Sequence, residues 1–182
     1  EGAGGPKDEA TVALYYKKSL QTWKKEADDG DAKAALWAAL VYERKLVPDS
    51  SPEKSVPYLL QAAESGNLTA QGLLAFKYRD GLGVPQDAAK AVEWFEKAAS
   101  RKDLGAVMEL GIMFRDGKYL PPDREKAFHW FEKGAEWKDP YSMAALADML
   151  LEGTPSAEQA ARALALYREA AAVGYFPAAL KA

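Results

Sequence analysis

The sequence predicts an all-α fold, an α/α solenoid built from a helix-turn-helix unit of 36 residues. Three observations predict it. The chain aligns with itself at a shift of 36 residues, from Thr22 to Lys181, without a gap. A residue suited to start a helix recurs at a fixed position of each copy, and a glycine follows the first helix in most copies. Self-similarity at a period of about 20–50 residues is typical of solenoids and repeat arrays.

The first helix of each repeat, helix A, is predicted over residues 32–44, 68–80, 104–116 and 140–152. The side chain of the residue before each helix can accept free N–H groups of the first turn. These N-cap residues are Asp31, Asn67, Asp103 and Asp139. Glycines stand where helix A ends and a left-handed backbone is favoured; they are Gly81, Gly117 and Gly153. The first repeat has Lys45 at this position, so we expect a different turn there.

The second helix, helix B, begins at a second set of capping residues, Ser51, Asp87, Asp123 and Ser156. It carries an aromatic or large aliphatic residue and an alanine four positions later, hence on one face. The large residues are predicted to fill the space between helices, and the alanines to let the next helix approach. Gly66 and Gly174 end two of these helices, and Lys102 and Lys138 stand at the same register.

These signals divide the chain into a flexible leader (1–7), an N-terminal capping helix (8–30) and four repeats. The repeats span 31–66, 67–102, 103–138 and 139–174, and residues 177–182 form the start of a fifth, truncated helix. The leader, EGAGGP, is interpreted either as the remainder after signal-peptide removal or as the edge of a shortened chain. The first interpretation is preferred.

Composition and motifs exclude several function classes. A net charge of −3, without a basic cluster, argues against nucleic-acid binding. No apolar run reaches the ~20 residues of a membrane-spanning helix. The single histidine, His129, is interpreted as a surface or packing residue, and no cluster of metal-ligating residues is apparent. We therefore expect no metal, no cofactor and no enzymatic activity.

The second repeat, AQGLLAFKYRDGLGVPQDAAKAVEWFEKAASRKD, is similar to the SEL-one-like repeat family of tetratricopeptide-like solenoid proteins. The third, LGIMFRDGKYLPPDREKAFHWFEKGAE, matches nearly as well but departs at residues 118–120. The resemblance implies a right-handed superhelix in which the helix A faces line a concave surface. It also implies a role in protein complexes, frequent export to the periplasm, and, for some small members, immunity against lipases delivered by type VI secretion.

Residues that vary at a fixed register of helix A are the candidates for partner binding. At one register the residue type differs completely between repeats, which hold Trp37, Leu73, Glu109 and Ala145. A second register also differs, with Leu40, Phe76, Ile112 and Asp148. Trp37, Leu40 and Phe76 would form an apolar anchor, and Asp116, Asp148 and Glu152 a negative region. Two aromatic residues at the junction between the third and fourth repeats complete the aromatic candidates. The full predicted set is Trp37, Leu40, Arg44, Phe76, Asp80, Glu109, Asp116, Trp137, Tyr141, Asp148 and Glu152.

The sequence thus predicts a non-enzymatic protein-binding module that uses the concave face of a solenoid and is monomeric on its own. An immunity protein against a type VI secretion toxin is the narrower hypothesis. An envelope scaffold for polysaccharide-export or cell-wall complexes is the alternative, and a carbohydrate binder is a third. The expected partner is another protein. The expected location is periplasmic or exported, with the cytoplasm left open.

Overall fold

The computed structural model describes residues 9–179 and 181, and the regular secondary structure in this part of the chain is α-helical throughout. The helices are α1 (Glu9–Asp28), α2 (Ala32–Glu43), α3 (Pro52–Glu64), α4 (Leu68–Asp80), α5 (Ala88–Ala99), α6 (Leu104–Asp116), α7 (Arg124–Glu136), α8 (Pro140–Leu150), α9 (Ala157–Ala172) and α10 (Phe176–Ala179). The even-numbered helices α2 to α8 are the predicted helices A, and their bounds confirm the prediction to within two residues. The leader predicted at 1–7 lies outside the described residues.

The chain divides into two compact units, Glu1–Trp94 and Phe95–Ala182. In the first unit, α1 packs on α2, α2 on α3, and α3 on α4. In the second unit, α6 packs on α7, α7 on α8, α8 on α9, and α9 on α10. In both units, therefore, these helices pack against their neighbours in the sequence.

The N-caps of all four helices A are confirmed. Asp31 accepts hydrogen bonds from the backbone N–H groups of Lys33 (2.7 Å) and Ala34 (3.1 Å). The other three caps each accept one bond from the residue three positions on, at 2.8–3.0 Å. Ser51 differs, because it makes no side-chain cap bond. The predicted cap at Ser51 is therefore wrong in its hydrogen bonding, although α3 does begin after it.

The predicted glycine ends of helix A are confirmed at Gly81 (φ 72°) and Gly117 (φ 66°), which are left-handed C-caps. Helix α8 instead ends at a right-handed C-cap, Leu151, and Gly153 (φ 76°) turns the chain two residues later. Lys45 also adopts a positive φ, 52°. The turn of the first repeat therefore keeps the left-handed conformation without a glycine, contrary to the expected difference.

The large residues of helix B and their alanine partners form the cores of the units, as predicted. Leu59, Phe95, Phe131 and Tyr167 are each at most 2% exposed. Gly111 of α6 lies directly against the ring of Phe131. The missing side chain at Gly111 lets α6 approach this ring closely.

One buried charged side chain links two helices of the first unit. Lys77 of α4 is 3% exposed, and its Nζ lies 2.7 Å from Oε1 of Glu43. The same Nζ donates to the backbone carbonyl of Leu82 at 3.2 Å. Because a buried cation is tolerated only when it is paired and hydrogen-bonded, this pair ties α4 and the turn after it to the end of α2.

Candidate binding surface

The surface of the first unit carries exposed aromatic residues where α1 and α2 meet. Trp37 of α2 is 51% exposed, although its indole stacks on that of Trp23 in α1 with ring centroids 6.0 Å apart. Tyr15, one of the outermost residues of α1, is 65% exposed. Large aromatic side chains that stay in water are the usual anchors of protein interfaces.

These residues line a cavity of about 250 Å³ between α1, α2 and the loop after α2. We call it the aromatic pocket, and its lining residues are Tyr15, Tyr16, Trp23, Trp37, Leu40, Val41, Arg44 and Leu46. Trp37, Leu40 and Arg44 are three of the residues predicted from helix A. The structure therefore brings these three predicted residues together around one cavity.

The floor of the aromatic pocket is held by a hydrophobic cluster. Leu20 of α1 packs with Ala38, Val41 and Tyr42 of α2, and Val47 closes the cluster from the following loop. Tyr16, Trp23, Leu46 and Tyr58 lie against it as partly buried neighbours. Because side chains in a packed cluster keep defined rotamers, the part of the pocket wall formed by Tyr16, Trp23, Val41 and Leu46 is preformed rather than assembled by a partner.

The charged side chain that lines the aromatic pocket is a cation, Arg44. Among the described residues, the Arg44 side chain has no ion pair or hydrogen bond. Helix α1 carries four lysines, and Glu26 and Asp28 follow them in its last turn.

A second cavity, of about 270 Å³, lies elsewhere on α1 and is lined by Lys17, Leu20, Gln21, Lys24, Tyr42, Val47, Pro48 and Asp49. The nearby phenol groups of Tyr42 and then Tyr58 raise the pKa of Lys24. Asp49, at its rim, is paired with Lys54. Lys24 and Asp49 at this cavity thus have partners within the chain, unlike Arg44.

Three other predicted residues do not belong to the aromatic pocket. Phe76 is half-buried on α4, with the guanidinium of Arg79 4.7 Å from its ring centroid. Arg79 also binds both carboxylate oxygens of Asp80, each at 2.8 Å. Glu109 is half-buried on α6 in the second unit. The Phe76 ring, which is predicted to be part of the apolar anchor, is therefore in contact with a neighbouring arginine.

The predicted aromatics of the second unit pack locally. Tyr141 lies 6.3 Å, centroid to centroid, from both Phe131 and Tyr175. Trp137 ends α7 as its C-cap, and Nζ of Lys102 is 5.9 Å from its ring centroid. Both are half-buried. These rings fill the junction between the third and fourth repeats.

The acids of the predicted negative region have partners within the chain. Arg115 donates to Asp116 at 2.6 Å, and Arg124 to Glu152 at 3.2 Å. Asp148 accepts hydrogen bonds from the Tyr167 hydroxyl and the Lys181 ammonium, both at 2.5 Å. These pairs form because the acids of helix A lie beside basic or hydroxyl groups of adjacent residues and helices. Paired carboxylates attract a basic partner less than free ones do.

Sequence reasoning missed Tyr15, Tyr16, Trp23 and Leu46 as lining residues. Trp23 shares the register of the buried helix B residues Leu59, Phe95, Phe131 and Tyr167, and Tyr15 and Tyr16 precede the repeating part of the chain. The available signal was the pair of adjacent tyrosines in α1, which has no counterpart in the repeats. His129 is exposed, as predicted. No group of three His, Cys, Asp or Glu residues suited to a metal occurs among the described residues, and no helix among them is long and apolar enough to cross a membrane.

Comparison with known proteins adds a family and several structures. The Sel1 repeat model matches residues 33–67, 69–103, 105–136 and 140–175. A protective antigen of uropathogenic Escherichia coli displaying an SLR fold is 30% identical, with a TM-score of 0.72 over 85% of this chain. This chain spans 33% of that antigen, one third of its length.

Two more solved structures are similar. A Sel1 repeat protein from Oxalobacter formigenes is 24% identical, with a TM-score of 0.69, and the match covers 94% of this chain and 73% of that one. An immunity protein from Pseudomonas aeruginosa is 26% identical, with a TM-score of 0.50, over 81% of this chain and 55% of that one. No curated protein matches the sequence.

Proposed function

Because the chain belongs to the Sel1 repeat family, we propose that it is a non-enzymatic module that binds another protein through the helix A face of its first unit. Sel1 repeats mediate protein–protein interactions. The all-helical repeat fold supplies the scaffold, and the residues that vary between repeats supply the specificity.

One observation carries the proposal: Trp37 is half-exposed beside a preformed cavity. An indole at this position leaves a large apolar area in water, which is unfavourable unless a partner covers it. The equivalent positions in the other repeats hold leucine, glutamate and alanine, so the fold itself does not require tryptophan there. Trp37 is therefore better explained by recognition than by packing.

The narrower proposal is that the protein confers immunity by binding and blocking a toxin in the periplasm. It is supported by the similarity to the immunity protein of Pseudomonas aeruginosa and by the toxin class that the family resemblance suggests, lipases delivered by type VI secretion. An envelope scaffold is the alternative, and it would bind cell-envelope components rather than a secreted enzyme.

The experiment is affinity capture from the native host, followed by titration calorimetry with the captured protein. Three baits are compared: wild type, Trp37→Ala and Leu82→Ala. Leu82 is a matched control because it has the same exposed fraction, 51%, and lies in the turn after α4. Far-UV circular dichroism checks that all three are folded.

Wild type and Leu82→Ala are expected to retain one partner, and Trp37→Ala to bind it about 30-fold more weakly, as for a hot spot of about 2 kcal/mol. Capture of no partner would refute protein binding as the function. Equal binding by all three baits would refute the site. A captured lipase, together with killing of a deletion strain by sister cells, would support immunity, whereas a captured cell-wall component would favour the scaffold.

A further inference from the structure

We infer that the aromatic pocket binds an acidic segment of the partner protein, with an apolar side chain between the rings and a neighbouring carboxylate on Arg44. The inference rests on the proposed function and adds the chemistry of the partner. It reverses the sign expected from the sequence, in which acidic residues of this chain would meet a basic partner.

The size of the cavity indicates a side chain rather than a whole small molecule. Sites for drug-sized ligands and cofactors usually enclose about 300–1,000 Å³. The aromatic pocket, at about 250 Å³, is smaller and is open between α1 and α2. It therefore suits one large apolar side chain projecting from a longer segment that continues across the surface.

The walls of the pocket are suited to an aromatic or aliphatic group. The Trp23 and Trp37 rings are stacked at an interplanar angle of 29°, which leaves one face of the Trp37 indole available to a ligand. Leu40 and Leu46 add aliphatic surface to the lining. Burial of such a side chain removes both its own apolar area and that of Trp37 from water.

The polar groups of the pocket favour a ligand that accepts hydrogen bonds. Indole N–H and guanidinium groups only donate, and tyrosine hydroxyls can donate or accept. Among the described lining residues there is no carboxylate or amide side chain. A cationic ligand would be repelled by Arg44. A carboxylate fits best, because a guanidinium can bind both of its oxygens.

The register of Arg44 supports the same conclusion. The equivalent positions in the later repeats are Asp80, Asp116 and Glu152, and each of these acids is paired with an arginine of this chain. Arg44 is the cation of this column, and no described acid pairs with it.

The test is selection of peptides on the full chain. A phage-displayed library of random 12-residue peptides is selected on immobilised wild type, and the enriched peptides are synthesised and measured by fluorescence anisotropy. The variants are Trp37→Ala, Arg44→Glu and, as the matched charge control, Arg168→Glu. Arg168 is exposed on α9 in the second unit, so its reversal changes net charge equally without touching the pocket.

The expected peptides carry a Trp, Phe or Leu next to Asp or Glu. Trp37→Ala and Arg44→Glu should each weaken their binding at least tenfold, and Arg168→Glu less than twofold. Exchanging the acids of the peptide for lysine should restore binding to Arg44→Glu. Enrichment of basic or uncharged peptides, no enrichment, or equal binding by wild type and Arg44→Glu would each overturn the inference.

The two proposals fail separately. If the partner captured from the host loses affinity with Trp37→Ala but not with Arg44→Glu, protein binding at this site stands and the acidic partner is refuted. If the host yields no partner, the proposed function itself fails, whatever peptides the library returns.

Discussion

Replacing Gly111 with alanine is expected to destabilise the protein, whereas the same replacement at Gly72 is expected to stabilise it. Both glycines lie inside a helix A, Gly111 in α6 and Gly72 in α4. Glycine inside a helix is about 0.5–1 kcal/mol less favourable than alanine, so the change of propensity is the same at both sites. The two sites differ in the space available for a methyl group.

At Gly111, an added Cβ would lie 2.7 Å from both Cδ1 and Cζ of Phe131, and closer still to Cε1. Ordinary van der Waals contact begins at 3.4 Å, so the ring would have to move. Phe131 is 0% exposed and has Tyr141 beside it, which leaves it little room. Overpacking of this kind costs about 1–3 kcal/mol, and after subtraction of the helix gain we expect a net loss of about 0.5–2 kcal/mol.

At Gly72, an added Cβ would have nothing within 4 Å. The helix gain is then unopposed, so the free energy of unfolding should rise by about 0.5–1 kcal/mol. The measurement is urea unfolding of both variants, followed by far-UV circular dichroism and tryptophan fluorescence, with equal m-values required. A Gly111→Ala variant as stable as wild type would refute the packing argument.

A second substitution tests the cause. At the same register, the first repeat has Ala39 and Leu59, both 0% exposed. The pair Gly111→Ala and Phe131→Leu rebuilds that combination in the third repeat. The double variant should lose less stability than the sum of the two single variants, by about 1 kcal/mol. Strict additivity would show that the ring is not what opposes the methyl group.

Three further changes have defined outcomes. Lys45→Gly should raise the free energy of unfolding by about 0.5–1 kcal/mol in urea titrations. A left-handed residue with a Cβ is strained by about 1–2 kcal/mol, and the greater conformational entropy that glycine loses on folding offsets part of the relief. No change would show that the turn is unstrained. Lys77→Ala should lower the free energy of unfolding by about 1–3 kcal/mol, since the buried Oε1 of Glu43 loses its paired cation, and a smaller loss would show that solvent replaces the ammonium. Burial, the hydrogen bond to Asp148 and the charge of Asp148 raise the pKa of Tyr167. The protonated Tyr167 hydroxyl therefore contributes its full stabilisation below the unfolded pKa of about 10. This contribution is lost as the pH rises through the folded pKa. Asp148→Asn should lower that folded pKa, which an ultraviolet titration of tyrosinate measures, and an unchanged titration would contradict the role of Asp148.

The candidate site was predictable only in part. The comparison of registers identified Trp37 because its column has no structural reason to hold an indole. It could not identify Tyr15 or Tyr16, because α1 has no repeat counterpart against which those residues stand out. It also could not show that Glu152 is paired, since Arg124 reaches Glu152 from a different helix.

The sequence by itself determined the helices, their caps and their register. Each of these depends on interactions within a few residues, such as Asp103 accepting the N–H of Ala106, and the repeat shows the same local pattern four times. Only the tertiary structure decided which surface residues are free to bind. Exposure and ion pairing depend on side chains from different helices, as the stacking of Trp23 on Trp37 illustrates, and such contacts leave no periodic signal in the chain.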